Sequence, residues 1–241
     1  MYTGKFAVII NSFNRNALLR IALPAIEETL LCTPVSSCIV IFEAGSTDGS
    51  QEYIEVYRAG SKVEIVSISS PADVPATFSD GCNYAVSHVA SLFPNLKWCF
   101  FYETDNYISN HHALDKALGL MSRHPEIAAA GFTVEKVSGE KAGFGQRFPN
   151  LMSFVMGQHI SHMLGILSPR PRWITDPHCR WTYCDIVYTS PLLVDYQGWK
   201  ITGGMDNVTF PFSDSDNDWC WTLRKTGRRC AVIDLNGVVH D

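Results

Sequence analysis

The sequence predicts an α/β fold: a mostly parallel central sheet flanked by helices, in a single domain. Three observations carry this. Short runs rich in β-branched and aromatic residues alternate with longer helix-like stretches through the first hundred residues. Each run ends in a polar cluster, as strands do when their carboxyl ends share one edge of an open sheet. The 241-residue chain, 46% hydrophobic and 18% charged, shows no internal repeat, low-complexity tract or linker, and a chain of this length buries about 70–75% of its unfolded surface.

Four strands are expected over 6–10, 37–42, 63–68 and 98–102, each dense in Val, Ile, Phe, Trp or Tyr. Between them, 17–31, 50–57 and 75–93 have the apolar spacing and length of helices. The polar clusters at the strand ends are 11–16, 43–48, 69–73 and 103–106. Beyond these, the apolar run 128–132 reads as a strand and His111-His112 as the start of a helix. The glycine-containing 136–149 reads as a mobile loop, and 168–177 is rich in proline and arginine. Order is expected again over 181–188, followed by a short helix opening at Pro191, a helix over 216–226 stopped by Gly227, and a strand over 229–233.

The net charge of −5 argues against a nucleic-acid partner, which requires a cationic face. No stretch approaches the roughly 18 uninterrupted apolar residues of a membrane span, so membrane contact is expected to be peripheral at most. Eight scattered cysteines and no signal-like leader suggest reduced thiols and a cytoplasmic location. His159, His162, His178, Cys179 and Cys184 match no established zinc spacing.

Four clusters carry chemistry. In Glu103-Thr104-Asp105, a spacing of two on extended chain points both carboxylates the same way. Mg²⁺ and Mn²⁺ take such oxygen ligands together with the phosphate oxygens of a substrate; Asp105 is the expected ligand, with Glu103 nearer a ribose or a metal-bound water. Glu43 to Ser50 follows the second strand, where a carboxylate can accept from a base N–H, while Ser46, Thr47 or Asp48 also suits a helix cap. Asn11 to Arg15 offers an arginine for a phosphate and polar groups for a nucleoside. The fourth cluster, Ser213 to Asp218, sets three aspartates at a helix N-terminus. They complement the macrodipole there, as Arg224 and Lys225 do at the other end, but one cap does not need three carboxylates. Asp216 is the candidate general base.

In this order, the clusters resemble glycosyltransferase family 2 and its relatives of the GT-A fold over nearly the whole chain. Phe6 to Arg15 resembles the family's opening strand and nucleoside loop, Glu43 to Ser50 its acidic-Gly-Ser-Thr-Asp-Gly segment, and Gly81-Cys82-Asn83 its Arg-Asn element. Glu103-Thr104-Asp105 stands where the family has Asp-x-Asp. Ser215 to Gly227 is similar to its Glu-Asp-x-Asp-Leu and Leu-Arg-Lys-x-Gly signature, and Val238-Val239-His240 to its hydrophobic-His ending. Glu replaces Asp at 43 and 103, and Ser215 stands where the family often has Glu.

The resemblance implies a nucleoside-diphosphate sugar donor, most often a UDP-sugar, held by Ser12, Asn14, Arg15, Glu43, Asp48, Asn83, Glu103 and Thr104. It implies Mn²⁺ or Mg²⁺ at Asp105 and His240, and an inverting transfer in which Asp216 activates a hydroxyl of a glycan or glycoconjugate acceptor. Residues 1–106 would form the nucleotide-sugar half and 107–241 the acceptor and catalytic half. Acceptor recognition is expected over 136–185, with Trp173, Trp181 and Tyr183 as stacking platforms. Three rivals are a non-catalytic sugar-nucleotide or glycan module of the same fold, a sugar nucleotidyltransferase and a dinucleotide dehydrogenase. The last two lack their phosphate loops: the first strand is followed neither by a Gly-rich, Lys/Arg-bearing loop nor by Gly-x-Gly-x-x-Gly.

Overall fold

Burial alternates in destination along the first strand, β1 (Lys5–Ser12). Phe6, Val8 and Ile10 join one hydrophobic cluster and Ala7 and Ile9 another, because successive side chains of a strand leave opposite faces of the sheet. The computed structural model describes residues 2–143, 145–167 and 172–240, apart from the side chains of residues 142, 143, 158 and 162. Residues 168–171 of the proline- and arginine-rich stretch lie outside the described residues.

After β1 come α1 (Asn16–Leu31), β2 (Ser36–Glu43), α2 (Ser50–Gly60), β3 (Glu64–Ser69), α3 (Phe78–Leu92) and β4 (Leu96–Phe101). This half is the expected alternation. The strands β3, β2, β1 and β4 lie side by side and pair in parallel. On α1, Leu19, Ala22, Leu23, Ile26 and Leu30 recur at helical spacing and enter the first cluster with Ile54 of α2. On the other face, Cys82, Ala85, Val86 and Val89 of α3 pack under Ala7 and Ile9.

The second half holds β5 (Asn106–Ile108), α4 (Ala113–Arg123), β6 (Ile127–Phe132), β7 (Val134–Glu135), β8 (Lys141–Gly143), α5 (Leu151–Met156), α6 (Gln158–Met163), β9 (Ile174–Thr175), β10 (Arg180–Cys184), β11 (Leu192–Asp195), α7 (Tyr196–Thr202), α8 (Ser215–Lys225), β12 (Arg229–Asp234) and β13 (Val238–His240). It corrects the expected sheet. The order is β3-β2-β1-β4-β11-β6-β12-β10-β9, with β11 antiparallel to both β4 and β6, and β10 antiparallel to both β12 and β9. The sheet is therefore mixed: parallel through β4 and antiparallel beyond it, except for β6 and β12, which pair in parallel.

Two local expectations also change. The helix expected from Pro191 gives way to β11, whose Leu192, Leu193 and Val194 are fully buried; burial between two strands outweighs the helix-start preference of proline, and the helix begins only at Tyr196. Of the loop expected over 136–149, residues 136–140 form the turn of a β7–β8 hairpin, residues 145–149 stay outside the strands apart from a bridge at Gln146, and residue 144 lies outside the described residues. Lys136 N–H donates to Glu140 O at 2.8 Å, and β8 pairs with β7.

A second sheet, β5-β13-β7-β8, sits beyond the end of β4. All eight cysteines are unpaired. Among the described residues no helix is long and apolar enough to cross a membrane.

Candidate metal and catalytic site

The strand β4 delivers Glu103 and Asp105 to the sheet edge as its apolar run ends. Just beyond it the chain turns: Asn106 N–H and its side-chain amide both donate to Glu103 O at 3.0 Å, and Tyr102 O–H donates to Asn106 O at 2.8 Å. That turn starts β5, which pairs with β13 so that His240 stands opposite Asn106. His240 Nε2 consequently lies 3.5 Å from Asp105 Oδ1.

Glu103, Asp105 and His240 each offer one ligand atom, all within 4.8 Å of one another. Among the described residues this is the one such group of three or more. The fit to a divalent cation has independent support: Asp105 Oδ1 is buried without a hydrogen-bond partner, and a buried, unsatisfied carboxylate oxygen is costly unless a cation faces it. Two carboxylates and an imidazole suit Mn²⁺ well, and Mg²⁺ when waters and phosphate oxygens complete the shell.

Glu103 and His240 line a cleft of about 440 Å³, together with Asp216, Thr189, Ser190 and Phe212. Glu103 is held by two donors that sequence reading passed over: Thr189 O–H at 2.7 Å and Ser190 O–H at 3.0 Å, both to Oε1. Their only sequence signal is a polar pair ahead of Pro191, which reads equally well as a helix cap.

Asp216 enters the cleft from the first turn of α8. Burial pushes its carboxyl up to about 6, against the opposing effect of N–H groups at Asn217 and Thr189, and the Glu103 charge adds to the rise. Asn217 N–H donates to Asp216 Oδ1 at 2.8 Å. A carboxyl poised near neutrality in a cleft suits proton transfer.

The expected donor-binding residues at the ends of β1 and β2 form a cluster tied together by hydrogen bonds. Asn14 adopts a left-handed backbone (φ 52), its N–H donates to Ser46 Oγ at 2.8 Å, and its side-chain oxygen accepts from Thr47 N–H at 2.9 Å. Arg15 is exposed; its N–H donates to Ser50 Oγ at 3.2 Å. Glu43 is buried, and both carboxylate oxygens accept from Ser46 N–H. Asp48 accepts from Ser50 O–H and N–H and from Asn16 N–H, bonds that lower its pKa. Asp48 thus accepts from the first backbone N–H of both α1 and α2. Ser12 Oγ is buried with no partner, and Thr104 is buried beside the metal-ligand candidates.

Asn83 lies apart from these. Its amide donates to Met205 O at 2.8 Å and accepts from Met205 N–H at 2.9 Å, clamping the loop that leads to Phe212.

None of the three expected stacking platforms lines the cleft. Trp181 is 1% exposed and belongs to the core, Tyr183 donates to Glu126 at 2.8 Å beneath the Arg229 guanidinium, and Trp173 lies against Arg180. They sit near β9 and β10 at the far side of the sheet. Of the dismissed zinc candidates, the His162 side chain lies outside the described residues.

No family model and no curated protein matches the sequence. Solved structures do match in shape. The mannosyltransferase PcManGT from Pyrobaculum calidifontis, in complex with GDP-Man and Mn²⁺, superimposes with a TM-score of 0.63 at 13% identity, over 98% of this chain and 57% of that one. The fold is GT-A-like. TarS 1–349 of S. aureus, in complex with UDP-GlcNAc, gives a TM-score of 0.58 at 14% identity, covering 98% of this chain and 58% of that one. GalNAc-T7 with UDP, GalNAc and Mn²⁺ gives 0.67 at 9% identity, over 99% of this chain and 44% of that one. The chain thus spans about half the length of these neighbours, and at such identities the likeness concerns the fold, not the reaction.

Proposed function

We propose that the chain is a metal-dependent, inverting glycosyltransferase of family 2 type, moving a sugar from a nucleoside-diphosphate sugar to a hydroxyl of a glycan or glycoconjugate. The observation that carries this is that Glu103, His240 and Asp216 line one cleft at the end of β4, with Asp105 in ligand-atom reach of Glu103 and His240. The GT-A-like neighbours, solved with GDP-Man, UDP-GlcNAc or UDP, favour a sugar nucleotide as the ligand for such a site.

In this reading Asp105 and His240 hold Mn²⁺ or Mg²⁺, which when bound neutralises charge on the departing diphosphate. Glu103, fixed by Thr189 and Ser190, orients that ligand set. The loops carrying Ser12, Asn14, Arg15, Glu43 and Asp48 receive the nucleoside and diphosphate, with UDP the first base to test. Asp216 takes the proton from the acceptor hydroxyl as its oxygen attacks the anomeric carbon. Residues 1–106 serve the donor and 107–241 the acceptor and the base. Most of the protein's contribution is then positioning and charge stabilisation.

A donor screen tests the reading. Thermal shift and hydrolysis are followed with UDP-, GDP-, dTDP- and CMP-sugars, with Mn²⁺ or with EDTA, for the parent, Asp105→Ala and Asp216→Asn. The expected result is metal-dependent stabilisation by one donor, lost in Asp105→Ala, with turnover alone lost in Asp216→Asn. Absence of stabilisation by every sugar nucleotide overturns it.

A further inference from the structure

Residues 148–166 leave the protein at the rim of the cleft and return to their point of departure. Gly145 lines the cleft, Gln146 bridges to Ile186, and Phe148 N–H donates to the Asp185 carboxylate at 3.2 Å. The base of the excursion is closed by Arg147 N–H, which donates to Leu167 O at 3.0 Å. Within it lie α5, capped reciprocally by Asn150 and Ser153, and α6.

The polarity of this helix pair is reversed. Ser153 and Ser161 are 5% and 0% exposed and face one another, Ser161 O–H donating to Ser153 O at 3.2 Å. Outward stand Leu151 (80% exposed), Met152 (61%), Phe154 (84%), Val155 (76%), Met163 (72%) and Leu164 (54%). Helices on a water-facing surface place their apolar stripe inward. A contiguous exposed group of this kind marks an interaction surface, unlike singly scattered apolar residues.

Charge says what covers it. From Lys141 to Thr175 the sequence contains no Asp or Glu, yet it contains Lys141, Arg147, Arg170 and Arg172, within a chain of net charge −5. Lys141, Arg147 and Arg172 are exposed. An apolar tip on a segment that carries cations and no carboxylate of its own complements a surface that is apolar inside and anionic outside. A second copy of the same face would oppose cation to cation in an isologous contact.

We infer that α5 and α6 form a docking hairpin that seats its apolar tip in the surface of an anionic lipid bilayer. Because the hairpin springs from the cleft rim, docking brings the cleft to headgroup level. If the sugar-transfer reading holds, the acceptor is then an amphiphile presented from that surface; the docking itself does not depend on that reading.

Flotation of the full chain with vesicles of phosphatidylcholine, alone or with phosphatidylglycerol, tests this. The expected result is binding to the anionic vesicles, weakened by salt, and reduced at least about tenfold in Phe154→Asp and more mildly in Arg147→Gln. The unfolding temperature of Phe154→Asp stays at the parent value because the ring is exposed, and Met163→Ser provides a second, independent variant. Absence of binding to either vesicle overturns the inference, as does undiminished binding by both apolar variants. A concentration-dependent dimer that Phe154→Asp dissolves also overturns it and assigns the face to a second copy. Donor-induced thermal shifts on the same variants separate loss of docking from loss of the sugar-nucleotide site.

Discussion

Asp105 Oδ1 lies 3.5 Å from His240 Nε2, joining the end of β4 to the three-residue strand β13. The imidazole offers that oxygen an ionic partner only when protonated, and no hydrogen bond otherwise reaches it. The Glu103 carboxylate stands close by, so two acidic groups and one imidazole share this corner.

Asp105→Asn is therefore expected to separate metal binding from stability. In EDTA at pH 8 the variant unfolds at the parent temperature or above, since it removes one of two neighbouring carboxylates at little hydrogen-bonding loss. Manganese then gives it no thermal shift. His240→Ala weakens Mn²⁺ binding about 10- to 100-fold, measured by calorimetry, and leaves the fold intact because the side chain is half-buried.

Asp216 is expected to oppose stability to function. Its folded pKa of about 6 exceeds the unfolded value of 3.8, so the folded state holds a proton that the unfolded state releases. That contribution is fully present below about pH 4 and is lost as pH rises through about 6, amounting to at most about 3 kcal/mol. Asp216→Asn in EDTA should accordingly be more stable than the parent at pH 7.5 and little different at pH 4. Its turnover falls about 10²- to 10⁴-fold, while the parent's rises with pH through the ionisation. Equal stability of the two proteins at pH 7.5 would contradict the assigned burial.

How much of this was legible in the sequence follows from where each element is buried. Strands β1, β2 and β4 are buried along nearly their whole length and read directly as apolar runs, while the edge strand β3 buries only Ile68. Strand β11 is just as buried, but Leu192 to Asp195 is only four residues long and follows a proline, so local preference favoured a helix. The side chains of Glu103, Asp105 and Asp216 were legible because carboxylates at a strand end and a helix start are conspicuous. Thr189 and Ser190 were not, since their role depends on β11 lying beside β4. The reversed polarity of α5 escaped because a hexamer apolar at all but Ser153 signals burial of its apolar residues in any scheme based on periodicity.

Asn83 was expected to meet the donor, yet both of its amide groups engage Met205. Asn83→Ala is expected to lower stability by about 1–3 kcal/mol by leaving those backbone groups unpaired, seen in chemical denaturation. Gly204→Ala should cost more: its φ is +84° and a Cβ would lie 2.4 Å from Asn83 Oδ1. A variant at Asn83 that unfolds like the parent but loses donor affinity would instead establish direct donor contact.

Glu103→Asp would restore the Asp-x-Asp spelling of the resembling family, yet it is expected to weaken the site. Oε1 accepts from Thr189 and Ser190 across the gap between β4 and β11; a shorter side chain withdraws the carboxylate by about one bond length and leaves both hydroxyls seeking partners. The cost is about 1–3 kcal/mol in stability, with Mn²⁺ affinity reduced as the ligand set loses its alignment. Thr189→Val removes one of the same hydrogen bonds without shortening the acid, so the double variant Glu103→Asp/Thr189→Val should cost less than the sum of the two single effects. Full additivity in that cycle, or an Asp variant that binds Mn²⁺ more tightly than the parent, would show that Glu103 reaches the cation independently of β11.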